Sequence, residues 1–201
     1  MLDKGEKIIL SGYTGVSEKN EITSFISSVG VLFSKKDYVR VYKDSIGITY
    51  DSVYDGSAIF NVSGYLVGMF NGSREKMIGK SYSINSNKLI KSADSIIKYG
   101  KYESNYIKYT LEDYSSLSVD LKESYDVSDS ASYGVVITTF KVFNFLFGKL
   151  NQGMVIVEVN GVKIENTYDL DVELTRYNKK DKICFKVIKT NGKEAYYYQK
   201  I

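Results

Sequence analysis

The sequence predicts a mainly β fold, with an antiparallel barrel or sandwich in its first half and an α+β unit in its second. Between Lys7 and Phe70, short apolar runs alternate with Gly, Ser, Asn and Asp, which is the pattern of antiparallel strands joined by turns. After Gly100, strand-like runs alternate with helical candidates. A length of 201 residues suits two small domains.

Five apolar runs in the first half predict strands. The last two form a hairpin around Ser63 and Gly64, because glycine supplies the positive φ that a tight turn needs. The five predicted strands are Ile8 to Leu10, Ile22 to Val31, Val39 to Tyr42, Ala58 to Val62 and Tyr65 to Phe70.

A helix is predicted over Asn87 to Tyr99. Asn85 or Ser86 is the N-cap residue, and Gly100 ends the helix as its C-cap. Helical spacing places five apolar residues on one face, which we expect to pack: Leu89, Ile90, Ala93, Ile96 and Ile97.

The second half predicts strands, a helix and a closing hairpin. The helix lies near Thr167 to Tyr177, with Asn166 or Thr167 as its cap and Leu170 and Leu174 as core contacts. The predicted strands are Tyr106 to Leu111, Gly134 to Thr139, Met154 to Val159 and Lys182 to Lys189, and the final hairpin turns at Asn191 and Gly192. In the last strand, Tyr196, Tyr197 and Tyr198 alternate between the two faces of the sheet.

Composition excludes several function classes. The 27 basic and 24 acidic residues give a net charge of +3 and are scattered, so we expect no nucleic-acid partner. Cys184 is the single cysteine and lies in an apolar run, so we expect a buried structural thiol and no internal disulfide.

The chain contains no histidine. Histidine is the usual general base near neutral pH and the commonest metal ligand. A Ser-His-Asp triad, a Cys-His pair and a histidine metal site are therefore excluded within this chain, and we expect neither a metal nor a cofactor.

The segment DGSAIFNVSGYLVGMFNG, from Asp55 to Gly72, resembles the nucleophile segment of the HtrA/DegP family of trypsin-like serine proteases. The family motif is a Gly-Asn-Ser-Gly-Gly-(Pro/Ala)-Leu-(Phe/Ile)-Asn run that leads into a hairpin. Aligned on Asn61 and Gly64, the motif puts Asp55 at the position of the nucleophilic serine. Upstream, KGEKIILSGYTG and ITSFISSVG are similar to two further strands of the family.

Downstream segments resemble the remainder of such a protease in the same order. SYSINSNKLIKSADSIIKYGKYESNYIKY is similar to the family's helix and to the start of its PDZ domain. Residues Gly153 to Gly161 look like the PDZ signature Gly-Asp-x-Ile-x-x-(Val/Ile)-Asn-Gly. The resemblance implies a trypsin-like second β-barrel over residues 1–83, a connecting helix over 84–100 and a PDZ domain over 101–201.

The resemblance also implies that this chain is not an enzyme. In the family, the histidine and aspartate of the triad come from a first barrel, and the serine of the second barrel is the nucleophile. Asp55 has no hydroxyl to attack with, and Val53 stands at the oxyanion-hole glycine. A register shift that makes Ser52 or Ser57 the nucleophile fits the motif less well.

Two alternatives remain open at this site. Asp51 and Asp55 form either a pair of solvated loop acids, which we favour, or a carboxylate pair that binds a cation. The chain is either a non-catalytic pseudoprotease fragment or, as the alternative function, a serine endopeptidase that depends on a missing first barrel.

Peptide binding is the function that the resemblance leaves to the chain. PDZ domains add an extended peptide as a strand and capture its C-terminal carboxylate on backbone N–H groups. The corresponding residues are Asn105, Tyr106, Ile107, Lys108 and Tyr109, although Asn105 and Lys108 replace glycines of the family pattern. We expect peptides or protein C-termini as partners.

Further partners and the localisation follow from the same comparison. A second barrel without its first exposes the face between them, so we expect the chain either to associate with itself or a first-barrel partner, or to be incomplete. The run FKVFNFLFGKL, residues 140–150, favours helix packing over a membrane-seeking face. The start MLDKGEKIIL lacks the features of a signal peptide, and we expect an extracytoplasmic location only if an exported or membrane-tethered part precedes it.

Overall fold

The structure is a computed structural model of the chain. It describes residues 3–13, 19–36, 39–48, 54–71, 81–102, 109–139, 150–178 and 180–200. The chain divides into two compact units: the barrel unit, Met1–Lys35 with Arg40–Glu103, and the sheet unit, Lys36–Val39 with Ser104–Ile201. The domain boundaries implied by the resemblance stay a prediction.

Six strands of the barrel unit close into a barrel in the order β1-β2-β3-β6-β5-β4. Closure is complete because β1 pairs with strands on both of its sides, so that Leu10 lies opposite Ile22 of β2 and Ile59 of β4. All five predicted strands are present, and β6 is an additional one. The strands are β1 Lys7–Tyr13, β2 Lys19–Lys36, β3 Val39–Ile46, β4 Ala58–Asn61, β5 Leu66–Phe70 and β6 Ser81–Asn85.

Apolar side chains from five strands form the barrel core, because alternate residues of a strand point to the same face. The hydrophobic effect of burying each such side chain amounts to about 1.5–3 kcal/mol. The buried apolar residues of this cluster are Ile8, Leu10, Ile26, Ile46, Ile59 and Phe70.

The same interior also holds a carboxyl group and several hydroxyls. Asp44 lies two residues before Ile46 on β3 and so shares its inward face; it is 1% exposed, and its cross-strand neighbour on β6 is Ser83. The Oδ1 atom of Asp44 accepts a hydrogen bond from the Gly30 N–H at 3.0 Å. Within the described residues, Asp44 Oδ2 and the hydroxyls of three buried serines find no hydrogen-bond partner: Ser24, Ser81 and Ser83.

The predicted hairpin joins β4 to β5. Asn61 closes its turn, because Asn61 Oδ1 accepts hydrogen bonds from the N–H groups of Ser63 at 3.1 Å and Tyr65 at 2.9 Å. Gly64 adopts φ +81°, a left-handed conformation that glycine tolerates at little cost. The turn chemistry read from the sequence is confirmed.

Helix α1, Ser86–Tyr99, follows β6 directly. Asn85 is its N-cap and accepts a hydrogen bond from the Asn87 N–H at 2.9 Å, which satisfies one of the free donors of the first turn. Gly100 is left-handed, with φ +71°, and donates its N–H to the Ile96 carbonyl at 2.8 Å. Both predicted caps are confirmed.

The packing face predicted for α1 is wrong. Ile90, Ile96 and Ile97 are 54%, 52% and 83% exposed, whereas Ser95 is buried. The helix packs on β5 and β6, and the Ser95 hydroxyl binds the Lys101 carbonyl at 2.9 Å. The buried position of the helix is therefore Ser95, and these three isoleucines are exposed to solvent.

The sheet unit is built on an antiparallel sheet with strand order β12-β11-β9-β8-β7, and β10 also pairs with β9. The first predicted strand begins later than expected, at Thr110, and residues 103–108 lie outside the described part. The strands are β7 Thr110–Asp113, β8 Val135–Thr139, β9 Val155–Val159, β10 Val162–Lys163, β11 Lys182–Ile188 and β12 Glu194–Lys200, and the helices are α2 Val119–Ser124 and α3 Thr167–Leu174.

Apolar clusters cover both faces of this sheet. Val135 and Ile137 of β8 belong to one cluster and the intervening Val136 to the other, as alternation along a strand requires. Leu170 and Leu174 of α3 are buried in the first cluster, as predicted. The side chain of Asn166 caps α3 by accepting a hydrogen bond from the Asp169 N–H at 2.9 Å.

The final hairpin joins β11 to β12 around Asn191 and Gly192, as predicted. Tyr196 and Tyr198 are each 59% exposed, whereas Tyr197 packs against the first cluster, so the predicted alternation is confirmed. Cys184 is half-buried rather than buried, because it lies on the face of β11 opposite the buried Ile183 and Phe185, across from Tyr198.

Candidate functional site

Asp55 lies in a tight turn that precedes β4. The Ser57 N–H binds the Tyr54 carbonyl at 2.9 Å, and Gly56 has φ +83°, the conformation that the third residue of a type II turn needs. The Gly56 N–H binds the Phe70 carbonyl at 3.0 Å, and the Phe70 N–H binds the Ser57 carbonyl at 2.8 Å. The turn is therefore held on β5.

This turn presents an exposed carboxylate where the resemblance expects a nucleophile. Ser57, the alternative nucleophile, is 8% exposed, and a Cβ at Gly12 would collide with its hydroxyl, so the backbone of β1 shields it from solvent. The remaining residues singled out near this turn, Asp51, Ser52 and Val53, lie outside the described residues. In the described part of the chain, no three His, Cys, Asp or Glu residues are grouped as metal ligands.

Of the five residues predicted to bind peptide, Tyr109 is described, and Asn105, Tyr106, Ile107 and Lys108 lie outside the described residues. Tyr109 immediately precedes β7 and is 3% exposed within the first apolar cluster of the sheet unit. Burial raises the pKa of its phenol, so the hydroxyl stays neutral. The side chain of Tyr109 belongs to the core, and only its backbone is placed to begin the strand.

Among the strands that the structure describes, β7 forms one edge of the sheet. Leu111 of β7 lies opposite Ile137 of β8, but the Ile137 N–H binds the Met154 carbonyl at 3.0 Å and its carbonyl accepts the Gly153 N–H at 2.9 Å. Since Ile137 directs both groups away from β7, the pair is not hydrogen-bonded and Leu111 directs its N–H and carbonyl toward the open edge. An added strand would pair with these groups.

Helix α3 begins beside this edge. The Thr167 N–H, at the start of α3, binds Asp113 Oδ1 of β7 at 2.6 Å, and Leu170 of α3 packs in the same cluster as Leu111. Sequence reasoning missed Leu111 and Asp113 as site residues. A local sequence pattern cannot predict the hydrogen bond between Thr167 and Asp113, which lie 54 positions apart. The only local signal for Leu111 is the alternation of residues along β7.

The fold is similar to part of the HtrA-type protease fold, with a trypsin-like β-barrel followed by a second unit of about the same size. Two solved structures of the HtrA-type protease AlgW are similar to the chain. The structure with a decapeptide matches with a TM-score of 0.62 and 18% sequence identity, and the match covers 99% of this chain and 60% of the AlgW chain. The structure with a tripeptide matches with a TM-score of 0.58 and 17% sequence identity, and the match covers 99% of this chain and 65% of the AlgW chain.

These similarities show the fold. The chain spans about 60–65% of the length of the AlgW chains that it matches. No protein-family model matches the sequence, and no curated protein is significantly similar to it. Among the residues that the structure describes, no helix is both long and apolar enough to cross a membrane.

Proposed function

We propose that this chain is a non-catalytic HtrA-like protein whose sheet unit is a PDZ domain that binds peptides or protein C-termini. The observation that carries the proposal is the open edge of β7 beside the start of α3. A peptide that adds as a strand to β7 would exchange backbone hydrogen bonds with Leu111 and lie next to α3. Backbone pairing supplies affinity in this mode of recognition, and adjacent pockets supply specificity.

Two further observations support peptide binding. The similar AlgW structures are described with a decapeptide and with a tripeptide, so peptide binding is known for one protein of similar fold. The residues predicted for the carboxylate loop, 105–108, directly precede Tyr109 and β7 in the sequence. Lys108 adds a positive charge where the family pattern has glycine, and that charge would attract a peptide carboxylate.

The loss of catalysis is proposed from the residues of the barrel unit. Asp55 offers no hydroxyl or thiol, and the chain has no histidine to act as a base. A carboxylate at this turn would also repel the oxyanion that forms in acyl transfer, and stabilising that oxyanion usually contributes more to catalysis than any other single effect. Binding by a sheet edge needs none of these groups.

The experiment is a titration of the purified full chain with a library of peptides that have free C-termini. Each peptide that binds is then compared with its amidated form and with forms N-methylated at single positions. We expect amidation to weaken binding by at least about tenfold, because it removes the carboxylate charge. We expect N-methylation at alternate residues to be harmful, because only every second residue of an added strand faces β7.

A pair of variants separates a local effect of Lys108 from a general effect of charge. Lys108→Ala should weaken binding of free peptides and leave amidated peptides unaffected. Lys193→Ala removes the same charge at an exposed position of the final hairpin. It should change the affinity for neither the free nor the amidated peptides. Binding without dependence on the carboxylate or on strand N–H groups, or no binding by any peptide, would contradict the proposal.

A further inference from the structure

Strand β12, the second edge of the sheet within the described part of the chain, differs from β7 in its length and regularity. Strand β7 spans four residues and contains a register shift between Thr110 and Leu111, so it offers a short ladder that suits a peptide more than a second sheet. Strand β12 pairs with β11 over all seven residues, from Glu194 to Lys200, without a bulge. Its three central residues are uncharged tyrosines, so the middle of β12 lacks the charged side chains that protect an edge from unwanted pairing.

The backbone of β12 alternates between the sheet and the open edge. Cys184 of β11 donates its N–H to Asn160 Oδ1 and accepts the Asn160 N–H on its carbonyl, both at 2.8 Å. These bonds lie on the β9 side, so the backbone N–H and carbonyl of Cys184 do not bond to the backbone of Tyr198, the residue opposite it on β12. Tyr198 therefore directs its N–H and carbonyl to the open edge, and by alternation so do Glu194, Tyr196 and Lys200.

The pairing of β11 with β12 places two like charges opposite each other. Lys200 lies directly opposite Lys182 of β11, and like charges at opposite positions are unfavourable. Lys182 Nζ lies instead over the Tyr198 ring, 4.7 Å from its centroid. At the other end of the strand, Glu194 is exposed and binds Lys186 at 3.0 Å.

We propose that β12 pairs antiparallel with β12 of a second copy, about a two-fold axis through Tyr197, and joins two sheet units into one continuous sheet. In this register Glu194 lies opposite Lys200 of the other copy, and Tyr196 lies opposite Tyr198 of the other copy. The residues that face each other are the ones whose N–H and carbonyl groups point to the open edge, so each pair exchanges two backbone hydrogen bonds. The contact is isologous, as a closed dimer requires.

Charge complementarity selects this occupant. Glu194 of the second copy would lie next to Lys200 and offset its repulsion from Lys182, at both ends of the shared ladder. The exposed Tyr196 and Tyr198 rings would stack across the junction, where aromatic pairs contribute favourably. Peptide addition at β7 uses the opposite edge of the sheet and does not compete.

The first test uses charge reversal on the full chain, measured by sedimentation velocity over a range of concentrations. We expect the 22.7 kDa chain to move toward twice that mass as concentration rises. Lys200→Glu should raise the dissociation constant about tenfold, because it places carboxylates opposite each other in two symmetric pairs. Within one chain it converts the Lys182–Lys200 repulsion into an attraction, so the fold should not weaken.

The double variant Glu194→Lys with Lys200→Glu should recover dimerisation, because it restores opposite charges across the axis. A folding defect cannot produce that recovery. If the double variant, with an unchanged circular dichroism spectrum, stays as monomeric as Lys200→Glu, the register is wrong.

A second test addresses the backbone. Tyr198→Pro removes an N–H that faces the open edge and leaves the β11–β12 bonds in place, so it should abolish dimerisation. Tyr198→Ala removes the same ring but keeps the N–H and should weaken the dimer less. A chain that is monomeric at every concentration overturns the proposal, as does a dimer that persists unchanged in Tyr198→Pro and Lys200→Glu, which would use another surface.

Discussion

Among the described residues, each unit buries one carboxyl group, and the surroundings of the two groups differ. In the barrel unit, Asp44 is 1% exposed and receives one hydrogen bond, from the Gly30 N–H, while its Oδ2 atom has no partner in the described residues. In the sheet unit, Glu173 of α3 is 3% exposed. Its carboxylate accepts the Tyr177 hydroxyl at 2.7 Å and pairs with Arg176 at 3.2 Å.

This contrast indicates which of the two units is the more stable. A buried polar group without a partner costs about 1–3 kcal/mol, whereas a buried group with its partners costs little. In the barrel interior, Asp44 Oδ2 and three serine hydroxyls lack partners in the described residues, whereas both carboxylate oxygens of Glu173 in the sheet unit are paired. We infer that the sheet unit, in which the proposed binding edge lies, is the more stable of the two.

Removing a core ring of the sheet unit should change stability most. Phe185 is fully buried in β11, so Phe185→Ala should lower the free energy of unfolding of this unit by about 3–5 kcal/mol. Phe70→Ala is the matched change in the barrel, where Phe70 is also fully buried. Hydrogen exchange measured by mass spectrometry reports each unit separately, and loss of protection in both units with either variant would show that they unfold as one.

Substitutions of the two buried carboxyl groups should change the free energy of unfolding in opposite directions. Glu173→Gln keeps the shape but weakens the bonds to Tyr177 and Arg176, so we expect a loss of about 1–3 kcal/mol in the sheet unit. Asp44→Asn keeps the acceptor for the Gly30 N–H and removes the cost of ionising a buried carboxyl, whose pKa burial raises, so we expect a gain of about 1–2 kcal/mol in the barrel at a pH above that raised pKa. Chemical denaturation of each variant measures both changes, and the same sign for the two would contradict the contrast between the units.

The dependence on pH follows from Asp44. Burial raises the pKa of its carboxyl from 3.8, and the Gly30 hydrogen bond opposes this only in part. The unfolded chain therefore loses this proton at lower pH than the folded barrel does, and the contribution of Asp44 to barrel stability falls as pH rises from 3.8 to the raised value. Asp44→Asn should remove that part of the slope, and an unchanged slope in the variant would assign it to other groups.

The sequence predicts elements that local rules govern and misses what long-range contacts decide. Turn residues such as Gly64 and Gly192, and the cap residues Asn85 and Asn166, act within a few positions, so their roles were predictable. The exposed face of α1 was not, because the buried contact of Ser95 depends on how the helix lies on β5 and β6.

The candidate site divides in the same way. The motif alignment put Asp55 at the nucleophile position and Tyr109 at the start of a strand, and the structure places them in the turn before β4 and directly before β7. It did not predict the outward backbone of Leu111 or the bond from Asp113 to Thr167, since these depend on which strand lies at the edge and which helix begins beside it. The order of strands in a sheet is set by pairings between distant residues, which no local spacing reveals.

The helix caps offer a smaller and symmetric test. Asn85→Ala and Asn166→Ala each remove an acceptor from the first turn of a helix, and each should cost about 1 kcal/mol of stability in its own unit. Asn166→Ala should also weaken peptide binding modestly, because it loosens the start of α3 beside β7. Asn85→Ala is the control with the same chemistry, and equal effects of both variants on peptide affinity would argue against a site at α3.

The turn before β4 should respond least to substitution. Asp55→Ser restores a hydroxyl at the position of the family nucleophile, yet we expect no peptidase activity, because the chain has no histidine to accept the proton. The turn should keep its shape, since the bonds among Tyr54, Gly56, Ser57 and Phe70 are made by backbone atoms. A sensitive fluorogenic peptide assay checks this, with peptide affinity as the parallel measurement. Hydrolysis by Asp55→Ser, without any added protein, would contradict the proposal that the missing base prevents catalysis. An unchanged peptide affinity in this variant would indicate that binding does not involve this turn.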